Sequence, residues 1–358
     1  MGRITVLGAE GFVQTEMYQK AAMRRSYFPM KGACSKMANC KALHSVSCYA
    51  IGRSVAMLYL GAAFEGLSIA LFSGNNDALL YDLLKSEGEE ETYKLHLGKI
   101  SSMTHLALAV ASVLGGVILH LSSYSVIMWL SVIPKFLCVF LALGVDEPER
   151  NLAIEHSFRL RRLGELMGEI RDNPKLAKLI IADGLSGGVG EASYQFRSLF
   201  LRMVWPLWAI GLAGTLSDIG ASVSYWFSGK VIGRIGAKRV IIGSKLYSLC
   251  CNIASYAMGN AFSPLLLNST SLLFGVTNVA QNDLSQQLYT DRHRASLASV
   301  KSLMFSLLYG IFAVVIGSIA DRWGIIAALL SLQIVTVIPI LLYLDILRDR
   351  KDASREVC

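Results

Sequence analysis

Polar side chains that could handle a proton or a polar solute recur at helical spacing inside apolar stretches of this chain. Asp183, Glu191 and Gln195 follow steps of 8 and 4. Asn268, Ser271, Gly275, Asn278 and Asn282 follow steps of 3, 4, 3 and 4, a single helical face. Glu65, Ser68, Phe72 and Asn76 do likewise at 3, 4 and 4. Asp218 stands alone in the middle of another apolar stretch. Ionisable and amide groups are costly in hydrocarbon and face a bundle interior or a water-filled cavity. A carboxylate so placed can take and release a proton, which assigns coupling chemistry to Glu65 or Glu191, with Asp218 as third choice. The competing use for each is a contact with a neighbouring helix. The asparagine face reads as the lining of a cavity. Gly184, Gly187, Gly188 and Gly190 lie among the first set, enough to loosen or bend a helix there.

The elements that must position these groups follow from composition. Of 358 residues, 53% are hydrophobic and 17% charged, with a mean hydropathy of +0.48. Soluble domains carry about 25% charged residues, so the chain has too few charges for a water-facing shell. Disorder, a collagen-like repeat and a disulfide knot are excluded by the same composition, 31 glycines without a period and 7 cysteines without a CxxC. The fold class is all-α, a polytopic membrane helix bundle. A span needs about 20 apolar residues, and nine stretches qualify: 56–81, 100–120, 124–145, 177–200, 205–228, 240–258, 262–286, 300–320 and 324–346.

Lys and Arg crowd alternate connections. They occupy 82–99, the long central connection, 230–239, 292–301 and the tail, whereas the opposite connections hold Arg202 and Arg322. Positive charge in short loops marks the cytoplasmic side, so the central connection and the C-terminus are expected to be cytoplasmic. The net charge of +8 is thereby a matter of topology and anionic lipid, with no need of nucleic acid. The first 55 residues are basic and hold no window of 18 apolar residues.

The chain also repeats itself. CYAIG at 48–52 matches SYAMG at 255–259, GNND at 74–77 matches AQND at 280–283, and VLGGVIL at 113–119 matches VVIGSIA at 314–320. The order is kept and the offsets are 207, 206 and 201. Two copies of a six-helix unit in parallel repeat account for this. The second copy begins about 80 residues before its SYAMG, but the first has only 47 polar residues before its CYAIG. On this reading helices one, two and most of three are missing from the first copy, leaving about nine spans of twelve.

The segment SGNNDALLYDLLKSEGEEETYKLHLGKI at 73–100 resembles the end of helix 4 and the 4–5 loop of a bacterial branch of the major facilitator superfamily. GKVIGRIGAKRV at 229–240 is similar to its gating motif in the 8–9 loop, and RASLASVKSL at 294–303 to the start of its helix 11. The resemblance implies twelve-helix secondary transporters made of two halves, with helices 1, 4, 7 and 10 lining the path. It makes Gly229, Gly233, Arg234, Gly236, Lys238 and Arg239 a gating loop, although Gly233 stands where the motif usually has an Asp. It also implies export of a small amphiphilic compound.

The chain thus divides into a basic segment 1–48, a remnant half bundle 49–145, an amphipathic linker 146–175, a six-helix half 176–347 and a tail 348–358. The expected function is a proton-coupled carrier of a small solute in the inner or plasma membrane, working by alternating access. A membrane protein that no longer transports is the second reading. No nucleotide-binding, nucleophile or metal motif occurs, so no enzyme, cofactor or metal is expected. The triplet Asn268-Ser269-Thr270 has the glycosylation pattern but lies within a span.

Overall fold

Asn173 and Pro174 show how local sequence starts these helices. The Asn173 side chain accepts from the Leu176 backbone N–H at 3.2 Å, and Pro174, which has no N–H to lose, occupies the first turn. The helix they open runs unbroken to Val204. The computed structural model describes residues 32–52, 54–72, 80–81, 84–85, 88–122, 124–143, 159–290 and 293–353, and these contain helices and no strands.

In chain order the helices are α1 (Gly32–Ile51), α2 (Val55–Phe72), α3 (Tyr93–Leu121), α4 (Tyr124–Leu143), α5 (Arg159–Asp172), α6 (Pro174–Val204), α7 (Leu207–Ile235), α8 (Ala237–Met258), α9 (Ser263–Ser269), α10 (Ser271–Leu288), α11 (Arg294–Trp323) and α12 (Ile325–Ala353). The duplication reappears in their starts. Helices α3 and α11 begin at 93 and 294, and α4 and α12 at 124 and 325, each pair 201 residues apart. Helices α1 and α8 begin at 32 and 237, 205 apart, and α2 corresponds to the broken pair α9 and α10.

Helix α1 therefore corresponds in position to α8, and it lies mostly within the segment 1–48 that the sequence sets apart. Its polar residues kept it below the apolar threshold. They are used in packing: Asn39 and Ser45 are buried, the Lys41 ammonium lies 5.3 Å from the centre of the Phe64 ring, and the His44 ring lies 5.5 Å from it.

Among the described residues, three stretches are long and apolar enough to cross a membrane by length and composition: Glu90–Gly115, Ser296–Trp323 and Ile325–Arg348. Helices α6, α7, α8 and α10 hold more polar residues, many aimed at other helices. The lipid-facing side is plain on α11, where Leu303, Leu307, Ile311 and Val314 form an exposed stripe. The opposite side of α11 sits close to α6. A Cβ on Gly184 would meet Met304 Cγ at 2.5 Å, one on Gly187 the Phe305 ring at 2.6 Å, and one on Gly188 the Tyr309 backbone N at 2.8 Å. Three of the four glycines thus admit a neighbouring helix while α6 stays continuous.

Helix α9 stops at Ser269 and α10 starts at Ser271. Here the hydroxyls of Ser269, Thr270 and Ser271 donate to the carbonyls of Leu266, Leu267 and Asn268, three residues back. Three successive side chains competing for the backbone ladder explain the interruption. The linker helix α5 buries Leu166 with Leu176, Ile180, Tyr289 and Leu297 of the second half. The first part of the linker, through residue 158, lies outside the described residues.

Candidate functional site

Two sets of polar contacts stand out, one between the halves and one inside the second half. The first runs along α3 and α7. Gly98 lets α3 approach so closely that a Cβ would strike Ser228 and come within 2.6 Å of the Tyr225 carbonyl. One turn on, Ser102 and Ser222 share a hydrogen bond of 3.0 Å, and the Ser222 hydroxyl also lies 2.9 Å from the Ser102 carbonyl. Another turn on, His105 Nδ1 lies 3.2 Å from Asp218 Oδ1, with the imidazole stacked on Tyr225 at 5.2 Å. At the other end of this seam Lys94 reaches Asp283 of α10 at 3.2 Å, and the Arg294 guanidinium lies 4.1 Å from the centre of the Tyr81 ring. Asp283 belongs to the AQND motif.

The second set centres on Asp183, whose side chain is only 2% exposed. Lys301 of α11 pairs with its Oδ2 at 2.6 Å, and Ser285 of α10 donates to the same oxygen at 3.0 Å. Its Oδ1 accepts from the Tyr343 hydroxyl of α12 and, at 3.5 Å, from the Gln281 amide. The Lys301 ammonium also donates to Asn282 Oδ1 and Ser285 Oγ, both at 3.1 Å. A second ammonium, that of Lys245 on α8, lies 5.1 Å from the centre of the Tyr343 ring and donates to Ser186. One carboxylate thus ties α6, α10, α11 and α12 together, with a further cation beside it. A buried charge is tolerable only when paired and hydrogen-bonded in this way.

The sequence-derived residues are distributed over several places. Asp183 and Asn282 belong to the network just described, and Asn278 accepts from the Asn282 amide at 3.1 Å. Gln195 donates to Glu191 at 2.7 Å, one turn apart on α6. Glu65 accepts from the Tyr49 hydroxyl of α1 at 2.8 Å. Asn268 accepts from Arg197 at 3.1 Å. Ser271 and Gly275, on the same stripe, abut Gly220 and Tyr225 of α7. Asn76 lies outside the described residues.

In the proposed gating loop, Gly236 makes the turn between α7 and α8 with φ +86°, a backbone conformation suited to glycine. Gly229 lies within α7, where a Cβ would meet Leu95 Cα at 3.4 Å, whereas a Cβ on Gly233 would meet open space. Lys238 donates to the Leu347 carbonyl at 3.3 Å, and Arg234 and Arg239 are exposed.

Sequence reasoning missed Lys94, His105, Lys245, Lys301, Tyr343 and Arg197 as site members. Their partners lie on other helices, and the one signal available was the polarity of His105, Arg197, Lys245 and Lys301 within the apolar stretches 100–120, 177–200, 240–258 and 300–320. Among the described residues no group of three or more His, Cys, Asp or Glu is placed to hold a metal ion.

Residues 42–304 match the sequence profile of the Major Facilitator Superfamily, well over half of the chain. The chain belongs to the Major Facilitator Superfamily. It is accordingly a multi-pass membrane protein of a family of secondary transporters. Its fold is similar to that of FucP in the outward conformation, with a TM-score of 0.66 at 12% identity, covering 96% of this chain and 89% of that one. A single-residue variant of the same protein, described as the E. coli fucose:proton symporter, matches with a TM-score of 0.64 at 12% identity over 96% and 90%. A mutant of the nucleoside transporter NupG matches with a TM-score of 0.65 at 13% identity over 96% and 90%. A search of curated protein sequences gives no significant match.

Proposed function

We propose that this superfamily member moves a small solute across the inner or plasma membrane by alternating access, driven by protons, with its C-terminus in the cytoplasm. The observation that carries the coupling is the His105–Asp218 pair, which joins α3 of the first half to α7 of the second at 3.2 Å. A ligand or proton shifts a conformational equilibrium only through its different affinity for the two states. Pairs within one half, such as Asp183 and Lys301, keep their partner when the halves rock. Pairs across the moving seam do not, so a proton on His105 favours the state in which α3 and α7 are in contact.

This differs from the expectation that Glu65 or Glu191 carries the proton, since their described partners, Tyr49 and Gln195, lie on the same half. Asp218, the third choice, becomes the first. The basic clusters support a cytoplasmic position for the Lys94–Asp283 end of the seam, and on that orientation the contact between α3 and α7 closes the chain toward the cytoplasm.

The test is an uptake screen over several compound classes in proteoliposomes with an imposed pH gradient. A solute whose accumulation follows the gradient in the parent chain, but is indifferent to it in Asp218→Asn, supports the reading. Equal gradient dependence in both removes it. A silent screen, with the protein folded and inserted, favours the non-transporting alternative.

A further inference from the structure

Helix α6 carries a partly buried cation that its surroundings do not neutralise. Arg197 donates through Nη2 to Asn268 Oδ1 at 3.1 Å, and among the described residues no carboxylate pairs with it. Its Nε is sealed from solvent and has no acceptor, and the same is true of Nδ2 of Asn268. The two orphaned atoms belong to side chains already in contact, and both are donors. What they lack is an acceptor. A water molecule would satisfy the hydrogen bonds but leave the guanidinium charge uncompensated, which is costly in a low-dielectric interior.

The neighbourhood adds to this. Phe200 and Tyr256 pack with Leu267, the residue before Asn268, and Phe196 borders the same cluster. Asn268 itself stands at the break between α9 and α10, and broken membrane helices are where transporters expose polar backbone and side chains to a ligand.

We infer that Arg197 and Asn268 form a site for a negatively charged oxygen, that of a small organic or inorganic anion, walled by aromatic rings. The inference rests on the transporter reading in making this anionic group part of the transported solute. An anionic lipid headgroup offers the same chemistry.

The experiment uses the full chain in phosphatidylcholine nanodiscs and follows its melting temperature with acetate, benzoate and phosphate, and with acetamide and benzamide as uncharged counterparts. At least one anion is expected to raise the melting temperature while its amide does not. Asn268→Asp supplies a carboxylate of its own beside Arg197; it should melt higher than the parent without ligand. Its affinity for the anion should fall at least about tenfold, the loss of a charge-assisted hydrogen bond. Arg197→Gln should lose the anion effect as well. Repeating the titration with phosphatidylglycerol present separates the sources: competition identifies a lipid headgroup, and its absence a free solute. Equal responses to acids and amides, no response to any anion, or an Asn268→Asp variant that still binds within about twofold overturns the site. A neutral solute taken up by the same protein would then leave the transporter reading standing while this one fails.

Discussion

Replacing Lys301 by Met tests whether the Asp183 network acts as one unit. The substitution removes an ammonium 2.6 Å from a carboxylate that is 2% exposed. Stripping one partner from a buried ion pair costs about 3–5 kcal/mol, because the remaining charge is left uncompensated. Here the Tyr343 hydroxyl, Ser285 and Gln281 still donate to Asp183, which places the expected loss near the lower bound, about 3 kcal/mol. The reciprocal change, Asp183→Asn, leaves an ammonium that is 23% exposed and still bonded to Asn282 and Ser285. About 1–2 kcal/mol is expected there.

The double variant removes both charges and should cost less than Lys301→Met alone, giving a coupling free energy of at least about 1–2 kcal/mol. Equilibrium unfolding of the four proteins in bicelles measures it. If the two single losses add to within about 0.5 kcal/mol, the pair is not energetically linked and the network has been misread.

Three further outcomes are expected. Gly188→Ala should destabilise the protein by about 1–3 kcal/mol, since its Cβ would press on the backbone of Tyr309, whereas Gly190→Ala should be close to neutral because nothing lies within 4 Å; thermal melts of the two decide it. Removing the contact between His105 and Asp218 by His105→Asn should favour separation of α3 and α7 by about 1 kcal/mol, a roughly fivefold shift in population. Fluorescence energy transfer between labels on these helices should show the separated state more populated in His105→Asn than in the parent chain; equal populations reject the pair as a contact that holds the seam. Thr270→Ala should strengthen the helical ladder between α9 and α10 and slow amide exchange at 270–274, and unchanged exchange would mean that the hydroxyls do not cause the break.

Much of the architecture is legible in the sequence because apolar periodicity and the alternation of basic loops reflect the bilayer itself. The span placed at 100–120 is the apolar part of α3, and 324–346 that of α12. The motif offsets of 207, 206 and 201 reappear in the helix starts. Helix α1 escaped because polar side chains in it bond within the helix or to α2, as Ser47 does to the Leu43 carbonyl and Tyr49 to Glu65, which a hydropathy window cannot see. The polar stripes were legible, but which of their members meet another helix was not. Ser271 and Gly275 look like cavity lining on a helical wheel, yet they meet α7, and only the position of that neighbour distinguishes the two. Likewise Asp183 gives no sign in the sequence that its partners lie 118 and 160 residues away, at Lys301 and Tyr343.

The central claim is that α3 and α7 must separate for a solute to cross. Cysteines placed at Ser102 and Ser222, whose hydroxyl oxygens lie 3.0 Å apart, in a background freed of the native cysteines, allow the seam to be locked by oxidation in proteoliposomes. Uptake should stop on oxidation and return on reduction, while either single cysteine variant stays active. Undiminished uptake with the seam fully cross-linked would contradict the account.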